Sequence, residues 1–357
     1  MNRFVRRPRA IVATVGAAAM ALVLMSSTAT AADLSGEIKI TGSSTVEPIT
    51  GLVGENFSTE NPSVQIRVDG PGTGDGFELF CNAEAGQWDA TDASRAIEED
   101  EAANCEANGI SYTELAVGID GLTLVANKAS KITCVDSAQL YAMFGPESAG
   151  GDVDLATAQT LATEIGSNAP PLPKGTIAKF TPGPESGTYD SFIDLGYGDI
   201  MEERLEAGSI PADRTGTNDE GEPEVTEPLL AKGTFPNDNN IVQRVEASAN
   251  GIGFFGYAYY QENKGELKDI AIYNEDTGKC VKPTSKSIQS GTYPISRPLF
   301  IYPDNAKLTS GSAVKAFFDS YMTTKTLTAT VLQAGYVPLA KADRQATITA
   351  YKGISAS

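Results

Sequence analysis

Ile38-Lys39-Ile40-Thr41-Gly42-Ser43-Ser44-Thr45-Val46 is a short alternating strand that runs into a glycine set among hydroxyl residues, and a helical pattern, Val46 to Phe57, follows at once. The same grammar returns in Val68-Asp69-Gly70-Pro71-Gly72-Thr73-Gly74-Asp75-Gly76-Phe77 and in Ala178-Lys179-Phe180-Thr181-Pro182-Gly183-Pro184-Glu185-Ser186-Gly187-Thr188-Tyr189. Glycine lets backbone N–H groups approach a ligand closely, hydroxyls add short donors, and a helix start contributes unpaired N–H groups at the positive end of its dipole. Each turn alone is also what an ordinary N-cap looks like. Repeated three times, the pattern points to a site for a small oxyanion. None of the three matches a Walker P-loop or a complete dinucleotide fingerprint with its acidic partner, so a nucleotide is not indicated.

Working outward, Glu37 to Ile40 and Val64 to Val68 alternate as short strands do, while Leu115 to Val125 and Gly253 to Tyr260 read as more buried strands. Helical patterns cover Val46 to Phe57, Ile97 to Ala107, Tyr189 to Leu195 and Ser312 to Met322. Strands alternating with helices predict an α/β layered fold. Ala169 to Pro173 and the acidic stretch Asp213 to Pro228 read as surface loops whose charges are merely solvated. Asp92-Ala93-Ser94-Arg95 supplies a permanent planar cation, and phosphate or sulfate can accept two of its N–H groups together.

The 357 residues contain no histidine, which excludes Ser-His-Asp and Cys-His nucleophilic machinery and any imidazole acid/base step. The formal charge is −19, and no basic stripe follows the first few residues, so nucleic acid and anionic membrane surfaces are poor partners. Arg3, Arg6, Arg7 and Arg9, an apolar run from Ala10 to Met25 and Ala29-Thr30-Ala31 compose an export signal, residues 1–31, with cleavage expected after Ala31. Export makes Cys81, Cys105, Cys134 and Cys280 a disulfide set with three allowed pairings. The sequence-local pair Cys81–Cys105 is preferred, leaving Cys134–Cys280. CxxC spacing is absent, and neither a metal nor a cofactor is expected.

Thr41 to Val46, Gly72 to Phe77, Asp92 to Arg95, Glu185 to Asp190, Ile241 to Val245, Gly251 to Tyr260 and Tyr293 to Pro298 together resemble the exported phosphate-binding proteins of phosphate-specific ABC transporters, the PstS type. The resemblance implies a type II periplasmic-binding-protein fold, with two α/β lobes and a ligand cleft between them. Lobe 1 would be discontinuous, residues 33–118 plus 293–357, and lobe 2 would be 119–292. The chain would cross near Val117 to Asp120 and return near Gly291 to Ile295. Both preferred disulfides then fall within single lobes.

Carried across by residue, the phosphate ligands implied are Ser44, Thr45, Val46 through its N–H, Thr73, Gly74, Asp75, Arg95, Ser186, Gly187 and Thr188. Relatives of this type place an aspartate where Arg95 stands and an arginine where Pro182 stands, so Arg95 is expected to supply the guanidinium. The carboxylate that accepts the phosphate proton, and so rejects sulfate, is then open; Asp75 is the first candidate, followed by Asp190 and Glu47. The implied function is extracytoplasmic phosphate binding and delivery to membrane permease subunits by a monomer without enzymatic activity. The alternatives are a binding protein for another tetrahedral oxyanion (sulfate, molybdate or tungstate) and a secreted phosphoester hydrolase.

Overall fold

A computed structural model describes residues 34–82, 88–184, 186–218 and 221–354; the export signal and its cleavage point after Ala31 lie outside the described residues. Strand β1 (Gly36–Gly42) leads into helix α1 (Glu47–Glu60), strand β2 (Val64–Val68) into α2 (Thr73–Phe80), and β3 (Ala90–Ala93) into α3 (Glu99–Ala107), before the long strand β4 (Leu115–Ala126). β1 lies between β2 and β3, parallel to both. The α/β class predicted from the alternation is therefore the one observed, in a mixed sheet of ten strands among the described residues.

β4 organises the rest. Leu115 to Gly121 pair with the antiparallel strand Ser296–Pro303, which also pairs with β3, whereas Leu122 to Ala126 pair with Gly251–Gly256. Beyond that strand lies Thr176–Thr181, parallel to it. Nearly every residue of β4 is buried because it has a strand on each side and helices over its faces, which explains its unbroken apolar run. One hydrophobic cluster packs Ile38, Ile40, Ile49, Val117, Leu299, Phe317 and their neighbours. A second, larger cluster packs Leu122, Leu124, Phe144, Phe192, Phe254 and Tyr293. Phe77, Phe80, Tyr302 and the Cys81–Cys105 bridge make a third.

Both preferred cysteine pairs are bonded, Cys81 with Cys105 and Cys134 with Cys280. The first ties the end of α2 to α3; the second joins the two-residue strand Cys134–Val135 to Lys279–Val281 in a separate three-stranded sheet.

Two readings need correction. The run Gly253 to Tyr260 is not one strand: the strand ends at Gly256, and Tyr257–Glu262 is a short helix. Tyr257 and Tyr260 are buried three residues apart on one helical face, and an uninterrupted apolar run does not by itself distinguish that spacing from a strand. The stretch Asp213 to Pro228 is not plain loop either. It holds a small hairpin, Thr215–Thr217 with Pro223–Val225, and Arg214 donates to the carbonyls of Pro146 and Ser148 rather than only to water. The helix predicted over Tyr189 to Leu195 is longer, Gly187–Glu206, with non-helical backbone at Tyr197.

Candidate functional site

All three glycine and hydroxyl turns lie where a strand hands over to a helix. Gly42 has φ +124°, and a side chain there would collide with the Asp92 carbonyl, so only glycine lets β1 and β3 close at this point. Ser43 N–H donates to that same carbonyl at 2.9 Å. The Ser43 carbonyl in turn accepts from Val46 N–H and Glu47 N–H, both at 3.0 Å, and Ser43 Oγ accepts from Thr45 N–H at 3.2 Å. The Val46 N–H expected as a ligand donor is thus committed within its own turn, because the chain tightens to a 3₁₀-like geometry before α1. Ser44 is exposed and the Thr45 side chain is buried.

The second turn packs on the first. Gly72 N–H donates to the Gly42 carbonyl at 3.0 Å, and Gly76 sits so close to Gly42 that a side chain there would strike its Cα. Thr73 Oγ1 accepts from Ser94 N–H at 3.1 Å and lies 3.1 Å from Ser94 Oγ. No side chain caps α2, so its first-turn N–H groups, at Thr73, Gly74 and Asp75, are open to an anion. Asp75 is exposed beside Gly74.

The third turn meets the first from the opposite side. Gly187 begins the helix 187–206, and its Cβ position is 3.6 Å from Thr45 Cα and 3.8 Å from Thr45 Oγ1. Ser186 caps that helix, its Oγ accepting from Thr188 N–H at 3.3 Å. Thr45 and Gly187 are far apart in sequence, so this approach is a tertiary fact. Asp190, one turn on, is largely exposed; burial and then Asp194 raise its carboxyl above the ordinary range while Arg297 opposes them. Glu47 is half-buried, its carboxylate against Gly70.

Arg95 differs from expectation. Rather than a free fork, its guanidinium grips Glu101 with Nη1 at 2.8 Å and Nη2 at 2.7 Å, reaches Glu98 from Nε at 3.0 Å and donates from Nη1 to the Ala96 carbonyl at 3.2 Å. Of its five N–H groups these contacts leave one, on Nη2, and that nitrogen is 3.9 Å from the Cβ position of Gly74. The cause is the capping box of α3, in which Glu101 also accepts Glu98 N–H and is thereby held six residues from Arg95.

Two groups near the site carry signals that residue-type reasoning passed over. Ser94 is buried and bonded to Thr73; its position immediately before Arg95 was the available clue. Asp92 is 1% exposed, with Oδ1 accepting from Thr50 Oγ1 at 3.0 Å and no partner on Oδ2. Burial pushes its carboxyl well above the ordinary range.

The profile of the PBP superfamily domain matches residues 27–325. The chain belongs to the PBP superfamily. This PBP-superfamily protein is 35% identical over 308 residues to Protein SphX of Synechococcus elongatus, an alignment covering 86% of this chain and 79% of the relative. It is 32% identical over 312 residues to the phosphate-binding protein PstS of Staphylococcus saprophyticus, covering 86% of this chain and 82% of that one. Among solved structures it is similar to a possible phosphate binding protein from Planctomyces limnophilus, at 33% identity with a TM-score of 0.70, over 90% of this chain and 99% of that one. An ABC-type phosphate transport receptor from Vibrio cholerae, at 20% identity and a TM-score of 0.57 over 85% of this chain and 99% of that one, shares the fold.

Proposed function

We propose that this protein binds inorganic phosphate outside the cytoplasmic membrane and delivers it to the permease subunits of an ABC transporter. The observation that carries the reading is the approach of Gly187 to Thr45, which sets the third turn against the first, on which the second packs with its open helix-start N–H groups. The relatives' names supply phosphate as the anion. Such a set of turns suits a small, strongly hydrated anion because backbone and hydroxyl donors can replace its water.

The proposed ligand set is Ser44, Thr45, Thr73, Gly74, Asp75, Ser186, Gly187, Thr188 and the free Nη2 hydrogen of Arg95, with Ser94 steering Thr73. Residues 33–118 with 293–357 form one lobe and 119–292 the other in this reading; the cluster around Ile38 and Phe317 falls wholly within the first, while the larger one also takes in Tyr293, Ile295, Val337 and Leu339. Gly187 already lies against Thr45 in this arrangement, as closure on the anion requires. Export through residues 1–31, with cleavage after Ala31, and action as a monomer complete the proposal. Among the described residues no helix is long and apolar enough to cross a membrane. The donors assembled here suit the binding of an anion rather than phosphoester hydrolysis, which needs a nucleophile activated by a neighbouring base.

Calorimetric titration of unfolded, ligand-stripped and refolded protein with phosphate, in competition with sulfate and molybdate, tests the reading. Saturable one-to-one phosphate binding that excess sulfate does not displace is expected. Tighter binding of sulfate or molybdate than of phosphate would assign the site to another oxyanion.

A further inference from the structure

Tyr293 to Pro298, at the start of the strand Ser296–Pro303, has no role in the ligand set above. Within it, Arg297 stands opposite Asp120 in the ladder with β4. Its Nη2 donates to Ser191 Oγ at 2.9 Å, its Nη1 lies 3.3 Å from Asp194 Oδ2, and its Nε lies 3.9 Å from Asp120 Oδ2. Ser191 and Asp194 belong to the helix whose first residue, Gly187, abuts Thr45. One side chain thus links β4 to the helix that brings the third ligand turn.

The charges around it are unbalanced. Asp120 is 2% exposed and its Oδ2 has no hydrogen-bond partner, nor has Arg297 Nε. Asp190 and Asp194 follow Gly187 by three and seven residues, about 4.5 and 10 Å along the helix axis. Over such distances carboxylates in a partly dehydrated cleft repel an anion held at the helix start, since screening acts over about 8–10 Å and only through water. The helix end that offers donors therefore carries acids that oppose its use. Arg297 is the cation paired with both Asp120 and Asp194.

We propose that Arg297 is a positioning residue for the bound anion: it is the counter-ion that keeps Asp120, Asp190 and Asp194 from repelling phosphate, while holding their helix against β4. The inference rests on the phosphate reading above. Its electrostatic signature is separable from packing. Burial raises the carboxyls of Asp120 and Asp190, and Arg297 draws both back toward the ionised form. The remaining groups that face Arg297 are the Ser191 hydroxyl, the phenol of half-buried Tyr336, which desolvation raises above its ordinary range, and Asp343, which lines the same cavity of about 290 Å³. Without Arg297, burial raises the carboxyls of Asp120 and Asp190 with less opposition, so raising the pH ionises them and repulsion grows with pH. Phosphate's own ionisation is common to parent and variant and cancels in their ratio.

Phosphate is titrated calorimetrically into ligand-stripped parent, Arg297→Gln and Arg297→Lys over roughly pH 5 to pH 8, upward from the ordinary carboxylate range. Arg297→Gln is expected to bind about 10- to 100-fold more weakly near neutrality, as for loss of a charge-assisted contact. The parent-to-variant ratio should rise with pH, and Arg297→Lys should recover most of the affinity by restoring the charge. Equal binding by parent and Arg297→Gln overturns the inference alone, and so does an equal, pH-independent loss in both variants, which would mean packing only. A parent that does not bind phosphate overturns the phosphate reading and this inference with it. Should Arg297→Gln fail to fold, Asp194→Asn decides: its side chain is 60% exposed, and loss of one opposing charge should tighten phosphate binding, whereas unchanged or weaker binding refutes the counter-ion role.

Discussion

Arg95 offers the sharpest test of the ligand set, because the structure changes the size of the effect. An unencumbered guanidinium fork on a dehydrated anion would make Arg95→Ala cost several kcal/mol. Here the fork faces Glu101, whose side chain is 12% exposed, and a single Nη2 hydrogen remains beside Gly74. One hydrogen bond to a charged partner contributes about 1.5–3 kcal/mol. The partly exposed pair with Glu98 is made with and without the anion, so it cancels in the binding difference. Arg95→Ala should therefore weaken phosphate by about 1.5–3 kcal/mol, roughly 10- to 150-fold. Glu101→Gln has the opposite sign. It keeps an acceptor for Glu98 N–H, removes a carboxylate from the neighbourhood and loosens the grip on Arg95, so phosphate should bind about fivefold tighter, on the order of 1 kcal/mol. Calorimetric titration of both variants, with thermal unfolding to check the fold, measures the pair. Parent-like binding by Arg95→Ala, or equal weakening by both variants, would show that Arg95 and Glu101 are a strut and not part of the anion site.

Non-reducing peptide mapping should find Cys81 joined to Cys105 and Cys134 to Cys280, separated by 24 and 146 residues, and either crossed pairing refutes the assignment. In the chain-entropy description these closures contribute about 3 and 5 kcal/mol, so reduction should lower the unfolding midpoint well beyond error. Lys179 is buried, its ammonium donating to Met143 O at 2.7 Å, Ala149 O at 2.8 Å and Ser148 Oγ at 3.1 Å. Burial, and next Arg214, push its pKa down to about 7, against the three acceptors that favour the charged form. The unfolded chain then holds more protons between about pH 7 and 10, so this lysine's contribution to stability must rise with pH across that window, by at most about 5 kcal/mol. Lys179→Met should remove that rise, so the difference in denaturation midpoints between parent and variant should change across that range; parallel profiles would refute the depressed pKa. Asp75→Asn should raise sulfate binding relative to phosphate in competition titrations, because an amide can donate where a carboxylate only accepts. An unchanged ratio there, with a collapsed ratio in Asp190→Asn, would move the role to Asp190.

What could be read from the residues in order was local. The strand-to-helix turns at Gly42, Gly72 and Ser186 declare themselves because a glycine's freedom, a hydroxyl cap and the change from alternating to helical spacing are all properties of neighbours along the chain. The expectation of export came from the order of residues within the first 31, the disulfide reading followed from it, and the exclusion of histidine catalysis needed composition alone. Gly253 to Tyr260 marks the limit: buried strand and buried helix present the same apolar letters, and only the packing of Tyr257 and Tyr260 on one face separates them. The tertiary structure decided what meets what. It set Gly187 against Thr45, locked Val46 N–H into its own turn, gave the Arg95 fork to Glu101, and gathered Asp120, Ser191, Asp194 and Arg297 from three segments. Those contacts depend on which strands share β4 and on the angle at which a helix crosses it. A backbone must be closed in space before such quantities exist, so no stretch of neighbouring residues can specify them.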